Sequence, residues 1–402
     1  MSTDRFAHPL AVARGAGLVV LATCTARAAD VDFRPAMTFG LFHSGNIAVT
    51  GAGQGDDGAA LAFDLTVDRS TASSTLTFSY RPSYVVYRQS SDLDYFGNTL
   101  VLGYSKEYSK SSSFRTDFYA SRTDYQGLSQ DTKDAAVTFV PRTTLTQASV
   151  KAGGTVGAGR RGFVDWEVRA GIDKYDDVKD DPGTVAVDPF PFNDTTAFGG
   201  RVAWRGEVSA RNTVGVGLLA SLFGYETGPN VLVEAVGVVG TSEMSSFWRL
   251  DYAAGWSRAE SDSDSIDGFS FDATVEYAAG KETTLSGGAR QVFAPGTGIG
   301  AATQDRGVWI GYTHAPTAKG LSGSALGGYW QRDELAFGTT GPTNNTESFT
   351  VNGMLGWNFN RYLALEANYA YIDQSSREAS LSSLDTNYSS YGVFLRWAIR
   401  GR

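Results

Sequence analysis

Long segments of this chain alternate apolar and polar residues with the period of a β-strand, and this pattern restricts the possible folds most strongly. Between Val164 and Ile172, every second residue is apolar, and Asp, Glu and Arg residues stand between them. Successive side chains of a strand point to opposite faces of a sheet. Helical spacing would instead place Trp166 beside Arg169 on one face. We therefore predict an all-β chain.

The same alternation recurs in five further segments, which begin near Phe198, Trp248, Phe269, Phe349 and Leu363. The chain is also rich in glycine, with 47 among 402 residues, and in aromatic residues, which make up 12%. Both are typical of strands and turns. The pattern predicts eighteen strands, the first at 35–43 and the last at 386–399, with sixteen or twenty as alternatives.

The connections between the predicted strands are alternately short and long. Tight connections fall at 211–212, 280–282 and 360–361, and long polar ones are predicted at 176–194, 259–267, 294–305, 336–347 and 373–385. This alternation is typical of an up-and-down antiparallel meander with one plain rim and one elaborated rim.

The length of the segments favours a membrane protein. They run for about 10–14 residues, whereas strands of soluble sheets are usually about 5–6 and tilted membrane strands need about 9–11. Phe349 and Phe359 bracket an apolar stripe of roughly 33 Å, which projects to about 25 Å when the strand is tilted, the height of a lipid-facing band. Backbone polar groups must be paired in lipid. We therefore predict a closed transmembrane β-barrel with a polar, water-filled lumen.

The first residues have a different pattern. Three basic residues precede an uncharged stretch at 15–26, and Ala26-Arg27-Ala28 resembles a cleavage site. This arrangement predicts a cleaved secretory signal peptide at 1–28, followed by a single barrel domain at 29–402. The lone cysteine, Cys24, would leave with the signal, and lipidation at Cys24 is the alternative.

Charge and motifs exclude several classes of function. A net charge of −9 argues against nucleic acid as a partner. Outside the signal, only His43 and His314 supply imidazole, and neither a nucleophile elbow nor a zinc-type Cys/His cluster occurs. We predict no enzyme, no cofactor and no metal site. Acidic clusters at 173–181 and 260–268 lack EF-hand spacing and indicate hydrated loops, with weak divalent binding as the alternative.

Charged residues on the polar face of the predicted strands are candidates for the pore lining. They are Arg115, Asp117, Asp165, Glu167, Arg169, Arg201, Arg205, Glu207, Arg249, Asp251, Asp272, Glu276, Glu366 and Arg396, with Asp64 as a further inward residue. One hypothesis is a constriction in which Arg169, Arg201 and Arg205 attract anions. The other is a hydrated wall whose charges are paired and unselective. A simple register would bring Glu167 close to Arg205.

Aromatic residues at the ends of the apolar stripes are candidates for the girdles that lie at the two membrane interfaces. They are Trp248, Trp256, Phe349, Phe359, Tyr362, Tyr371 and Trp397.

Two segments carry a resemblance to a known family. They are the opening Phe33-Arg34-Pro35-Ala36-Met37-Thr38-Phe39-Gly40, followed by Asn46, and the closing Asn360-Arg361-Tyr362-Leu363-Ala364-Leu365-Glu366-Ala367-Asn368-Tyr369-Ala370-Tyr371. With them the chain resembles β-barrel porins of the Gram-negative outer membrane that accompany exopolysaccharide-production genes. The resemblance implies outer-membrane lipid and the assembly machinery as partners. Many such barrels end in an aromatic residue, whereas this chain ends Arg400-Gly401-Arg402, and Phe394 and Trp397 are the nearest substitutes.

The favoured function is a passive channel for hydrophilic solutes, with export of an anionic polysaccharide as one form of it. The first alternative is a structural or adhesive barrel with a plugged lumen and binding loops. A hydrolase embedded in the barrel and a soluble periplasmic β-protein are more distant alternatives. The solute and the oligomeric state stay open.

Overall fold

The computed structural model describes residues 30–45, 55–125, 143–176, 194–226, 228–262, 264–294, 302–316, 320–335, 345–376 and 385–398. The predicted signal peptide and the chain end lie outside the described residues, as do parts of the long connections.

Eighteen β-strands make up almost all of the described structure. In chain order they are β1 Asp30–Ser44, β2 Asp56–Ser70, β3 Ser74–Tyr87, β4 Tyr95–Ser109, β5 Ser112–Tyr125, β6 Thr143–Gly157, β7 Gly162–Tyr175, β8 Thr195–Ser209, β9 Asn212–Tyr225, β10 Val231–Glu243, β11 Trp248–Ser261, β12 Ser265–Ala278, β13 Thr283–Ala294, β14 Thr303–His314, β15 Gly320–Glu334, β16 Thr346–Asn358, β17 Leu363–Ser376 and β18 Thr386–Ala398. A short 3₁₀ helix, Ser91–Leu93, precedes β4. No helix among these residues is long and apolar enough to cross a membrane.

The strands form one closed antiparallel sheet. Each strand pairs with its neighbours in the sequence, and β18 closes the ring by pairing with β1, where Trp397 stands opposite Met37. Closure joins the two edges that an open sheet would leave unpaired. The predicted all-β, eighteen-stranded, up-and-down barrel is confirmed. The first strand begins at Asp30, earlier than predicted, because it pairs with the full length of β2 as far as Ser70.

Two rims differ in the length of their connections. The turns that follow the even-numbered strands are short, and β1 begins and β18 ends on that same rim. Outer-membrane barrels carry short turns on the periplasmic side and longer loops outside. We therefore call this end the periplasmic rim and the opposite end the extracellular rim.

One predicted long connection, 259–267, is wrong. β11 continues to Ser261 and β12 begins at Ser265, so only residues 262–264 connect them. The charged residues Arg258 and Asp267 stand directly opposite each other on the paired strands. Both strands extend beyond the apolar stripe and keep their backbone pairing there. Their residues in this region are polar, and the sequence pattern therefore resembled that of a loop.

The outer face of the barrel is apolar. Large side chains such as Phe198 and Ile310 are 64% and 69% exposed in the isolated protein. Directly opposed residues share one face of a sheet, and Val236, Trp256 and Phe269 form such an exposed row across three strands. Residues between them point into the lumen. This outward stripe is the surface that lipid would cover.

Arginine at the lipid-facing position 351 should destabilise the barrel far more than arginine at 352. Val351 lies between Phe349 and Trp357, which are exposed on the outer face, whereas Asn352 points inward opposite Leu326. Arginine near the bilayer midplane costs about 2–4 kcal/mol. We expect Val351→Arg to lose about that much folding free energy in urea titrations in lipid vesicles. Asn352→Arg should lose much less, and equal losses would contradict the assignment of faces.

Candidate functional site

The structure places the predicted pore-lining residues on the inward face of their strands. Glu167 stands directly opposite Arg201, Arg115 opposite Gly153, and Asp251 opposite Thr274, all in inward rows. Asp64 and Glu207 also occupy inward positions, opposite Ala36 and Thr213. Their contribution to a permeation path stays a prediction.

Strands β5 to β8 bring seven of these charges together with Lys151, and we call the eight residues the basic cluster: Arg115, Asp117, Lys151, Asp165, Glu167, Arg169, Arg201 and Arg205. Glu167 Oε2 lies 2.9 Å from Lys151 Nζ and 3.1 Å from Arg201 Nη2. Arg115 Nε donates to Asp117 Oδ2 at 2.7 Å, and Arg205 pairs with Asp165. Arg169 Nη2 donates to Ser221 Oγ at 3.3 Å. The cluster therefore holds five cations and three carboxylates.

The cations of the basic cluster are more exposed than its carboxylates. The side chains of Arg115, Arg201 and Lys151 are 72%, 64% and 53% exposed, whereas those of Asp117 and Glu167 are only 25% and 16% exposed. A guanidinium has five N–H donors, so one ion pair leaves most of them available to water or to a solute. The charge that the cluster presents to the lumen is therefore mainly positive.

The expected contact between Glu167 and Arg205 is wrong. Glu167 stands opposite Arg201, and Arg205 stands opposite Phe163, which brings its guanidinium to Asp165 instead. The register of β7 and β8 differs from the simple one, because the connection at 176–194 is too long to fix register by its turn geometry. The hypothesis of a wall with paired charges and the hypothesis of a constriction that attracts anions each describe part of this wall. Its charges are paired, but cations outnumber carboxylates and are more exposed.

The neighbouring wall, β10 to β12, is more acidic. Asp251 accepts from Arg249 at 2.8 Å, and Glu276 stands opposite Arg249. Asp272 stands opposite Arg290 of β13. Across the β17–β18 pair, Glu366 Oε1 and Arg396 Nη1 are 3.9 Å apart. The lumen thus carries a positive wall beside a wall in which acids predominate.

Inward side chains near the extracellular rim are packed and buried. Asp305 and Arg332 form an ion pair with Oδ1–Nε at 3.0 Å, and their side chains are 1% and 7% exposed. Trp330 is 1% exposed and covers Gly307, where a Cβ atom would lie 2.1 Å from the indole ring. Trp309 packs against Trp330. Packed side chains therefore cover the luminal side of β14 and β15 near the extracellular rim.

The end of the β13–β14 hairpin leans into the lumen. Pairing of β12 with β13 stops at Phe271 and Gln291, although β13 and β14 remain paired up to Ala294 and Thr303. Beyond that point Phe293 packs towards Gly268 on the inner side of β12. The hairpin is held by an apolar cluster, consisting of Phe223, Tyr225, Val231, Val233, Ala259, Ala302 and Leu335. We call this narrowed region the extracellular constriction.

Most girdle candidates lie on the outer face of the barrel. Trp248, Trp256, Phe349, Phe359 and Trp397 are 44%, 55%, 46%, 47% and 48% exposed. Tyr371 is half-buried, and its hydroxyl accepts from Asn387 Nδ2 at 3.0 Å. Tyr362 differs, because it lies in the β16–β17 turn beneath the guanidinium of Arg361. Of the two terminal aromatic residues, Trp397 faces outward, whereas Phe394 covers Gly40 inside the lumen.

Several functional candidates were not found from the sequence. Lys151 belongs to β6, where Pro141 obscured the alternation, although Val150 and Ala152 flank it as alternation requires. Trp309 faces inward between the apolar outward residues Val308 and Ile310, and Trp330 faces inward after the outward Tyr329, so the alternation is lost at these two positions. Gly307 and Gly328 could have indicated an inward tryptophan, because these small residues make room for the Trp330 ring.

No group of three His, Cys, Asp or Glu side chains in the described ranges is arranged to hold a metal ion. In the first acidic cluster, Asp173 accepts from Gln147 Nε2 at 3.0 Å, and residues 177–181 lie outside the described residues. In the second, Glu260 pairs with Arg258 at 3.2 Å.

Comparison with known proteins adds a family match over part of the chain. Residues 235–396 match the family model described as "Putative beta-barrel porin 2". The chain is an outer-membrane β-barrel that is similar to these porins over the matched region. The matched family comprises porins rather than enzymes, and its region covers β11 to β17 completely. The search of curated proteins gives no match.

Solved structures with a similar fold include OpdQ of Pseudomonas aeruginosa, at 11% identity and a TM-score of 0.43, covering 92% of this chain and 99% of that one. OccK2 (OpdF) of the same organism has 11% identity and a TM-score of 0.47, covering 92% and 98%. The FrpB iron transporter of Neisseria meningitidis (F3-3 variant) has 9% identity and a TM-score of 0.45, covering 84% of this chain and 62% of its own. The chain thus spans 62% of the length of that transporter.

Removing Arg332 should destabilise the barrel much more than removing Arg249. Arg332→Ala leaves Asp305 buried beside Thr303 without its cation, a type of loss that costs about 3–5 kcal/mol. Arg249→Ala breaks a half-exposed pair with Asp251, for which about 1 kcal/mol or less is expected. Urea unfolding in lipid vesicles measures both. Similar losses would show that the Asp305–Arg332 pair is not buried in the folded barrel.

Proposed function

We propose that the porin is a passive channel through which hydrophilic solutes cross the outer membrane, with anions favoured over cations. The observation that supports this proposal is the basic cluster, in which exposed Arg115, Lys151 and Arg201 surround shielded carboxylates. Fixed charge on a low-dielectric wall concentrates ions of opposite sign. Diffusion down a gradient needs no covalent step.

We propose further that the solutes include an anionic polysaccharide in transit to the cell surface. A chain that carries one negative charge at regular intervals can replace one guanidinium partner by the next, so that no single contact holds it. The alternating Arg and Lys positions across β5 to β8 supply such a series of partners. Outer-membrane lipid on the apolar face and the assembly machinery acting on the last strand are the proposed partners of the barrel itself.

Neutralising the basic cluster should reduce anion preference. We expect the double variant Lys151→Gln, Arg201→Gln to lower the chloride-to-potassium permeability ratio several-fold, because it removes both exposed cations that flank Glu167. Reversal potentials in a potassium chloride gradient across planar bilayers measure this ratio. The effect should shrink at high salt, where the Debye length falls to about 3 Å.

The matched control is Arg122→Gln on the same strand as Arg115. Arg122 pairs with Asp176 Oδ2 at 3.0 Å and occupies an outward position, opposite Asn98. This variant removes one positive charge without altering the luminal face. An unchanged permeability ratio in the double variant, or an equal change in Arg122→Gln, would refute the proposed role of the basic cluster.

The extracellular constriction favours a second candidate, a structural or adhesive barrel with a plugged lumen. Val231 points inward and is fully buried, and Leu335, which directly follows β15, is 7% exposed. Such packing is what a permanent plug requires. A folded and inserted protein that passes no current would support this candidate against the channel.

Loosening the constriction should increase conductance if it limits flow. Leu335→Ser removes an apolar contact of the cluster that holds the leaning β13–β14 hairpin. We expect larger single-channel conductance in planar bilayers with this variant than with the wild type. Leu321→Ser, an exposed outward position on β15 near the other rim, is the control and should leave conductance unchanged. Equal conductance of all three proteins would show that the narrow point lies elsewhere.

A further inference from the structure

A second cluster of cations lies at the periplasmic end, in a cavity of about 990 Å³ beside the seam between β1 and β18. Four arginines line this periplasmic cavity, namely Arg34, Arg81, Arg361 and Arg396, whereas Asp64 is its one lining carboxylate. The basic cluster of β5 to β8 does not contribute to its lining. It is therefore a separate site on the luminal path.

Carboxylates hold three of these arginines in place from the side. Arg81 Nε lies 2.9 Å from Asp64 Oδ2, Arg34 pairs with Asp68, and Arg396 lies 3.9 Å from Glu366. Asp64 also accepts from the Thr66 hydroxyl at 2.7 Å. The fixed carboxylates orient the guanidinium groups without using all their donors.

The arginines are again more exposed than their partners. Arg81 is 57% exposed against 32% for Asp64, and Arg396 is 52% exposed against 23% for Glu366. Preoriented and accessible guanidinium groups are suited to bidentate binding of a carboxylate. The cavity therefore presents donors that match an anion with planar oxygen geometry.

The β16–β17 turn supplies the remaining polar groups. Arg361 stacks on the ring of Tyr362 at 4.6 Å, which holds its guanidinium by a cation–π contact rather than by a carboxylate in the described structure. Asn358 and Asn360 also line the cavity. Asn360 Oδ1 accepts from the Tyr362 and Leu363 backbone N–H groups at 2.8 and 3.0 Å, which fixes the turn. Amides and hydroxyls beside guanidinium groups can bind sugar hydroxyls as well as an acid group.

Charge at the two rims favours entry of an anion from the periplasmic side. The described periplasmic turns carry Lys110, Arg160, Arg161, Arg211, Lys281 and Arg361 against Glu282. The described extracellular connections carry Arg88 against Asp94, Asp176, Asp194, Glu226, Asp262, Asp264 and Asp385. An anion near the periplasmic rim is attracted, and one near the extracellular rim is repelled.

We propose that the periplasmic cavity is an entry site that binds an acidic saccharide through its carboxylate. The inference rests on the proposed channel function, since the site lies on the luminal side of the wall. Arg81, Arg361 and Arg396 bind the carboxylate, and Asn358 and Tyr362 contact the sugar hydroxyls. Neutral saccharides of the same length lack the group that the arginines recognise.

The test uses trigalacturonate and neutral maltotriose with the refolded full-length porin. Calorimetry in detergent measures binding without any need for conductance. We expect trigalacturonate to bind and maltotriose not to bind. In Arg361→Gln, Arg396→Gln the affinity should fall at least tenfold, and Arg81→Gln, which changes a third arginine of the cavity lining, should weaken binding too. Heat-modifiable migration on a denaturing gel confirms that each variant is folded.

Lys281→Gln is the matched control, because Lys281 lies on the same rim in the β12–β13 turn and does not line the cavity. Its affinity should equal that of the wild type. Equal binding of both sugars, or an equal loss in Lys281→Gln, would overturn the proposed site. Trigalacturonate should also interrupt single-channel current when added on the periplasmic side. Binding without any current would refute the channel function and leave the site standing, whereas current without binding would do the reverse.

Discussion

The pairing of backbone hydrogen bonds in lipid determines the rest of this structure. A strand that crosses a bilayer must give every N–H and C=O a partner, and only closure of the sheet removes the last unpaired edge. Here the closing contact is β1 with β18, from Ala36 and Ala398 to Ser44 and Ser390. Once the ring is closed, the two faces of each strand meet different solvents, and the sequence must alternate accordingly.

That alternation is why the fold is readable from the sequence. In β7 the inward residues Asp165, Glu167 and Arg169 follow the outward apolar residues Val164, Trp166 and Val168, so the pattern predicts both the strand and its two faces. Prediction failed where this contrast disappears. At 258–267 the outward face is charged because the strands extend beyond lipid, and at Trp309 and Trp330 the inward face is apolar because the lumen itself is packed. In the first place the outward face meets water instead of lipid. In the second, the inward face meets packed side chains instead of water.

The luminal site shows a different limit. The residue types and the inward face followed from alternation, so Glu167, Arg201 and Arg205 could be placed in the lumen from the sequence. Their partners could not, because register across the 176–194 connection depends on backbone pairing rather than on side-chain type. The relative exposure of the paired cations and carboxylates could not be predicted from the sequence either. Long arginine and lysine side chains extend past the shorter carboxylates that pair with them, which gives a nearly balanced wall a positive luminal surface.

The two ends of the barrel differ in charge and in packing, and this difference affects the rate of solute passage but not its net direction. Basic turns and the periplasmic cavity raise the local concentration of anions at one mouth, while the acidic rim and the extracellular constriction raise the barrier at the other. Fixed charges and a fixed constriction change the free energy of a solute along the path but leave the difference between its two ends unchanged. Net export therefore requires a gradient, supplied by synthesis on the periplasmic side or by removal outside. Binding at the cavity must also stay weak enough for release, which is consistent with half-exposed arginines that already hold carboxylate partners.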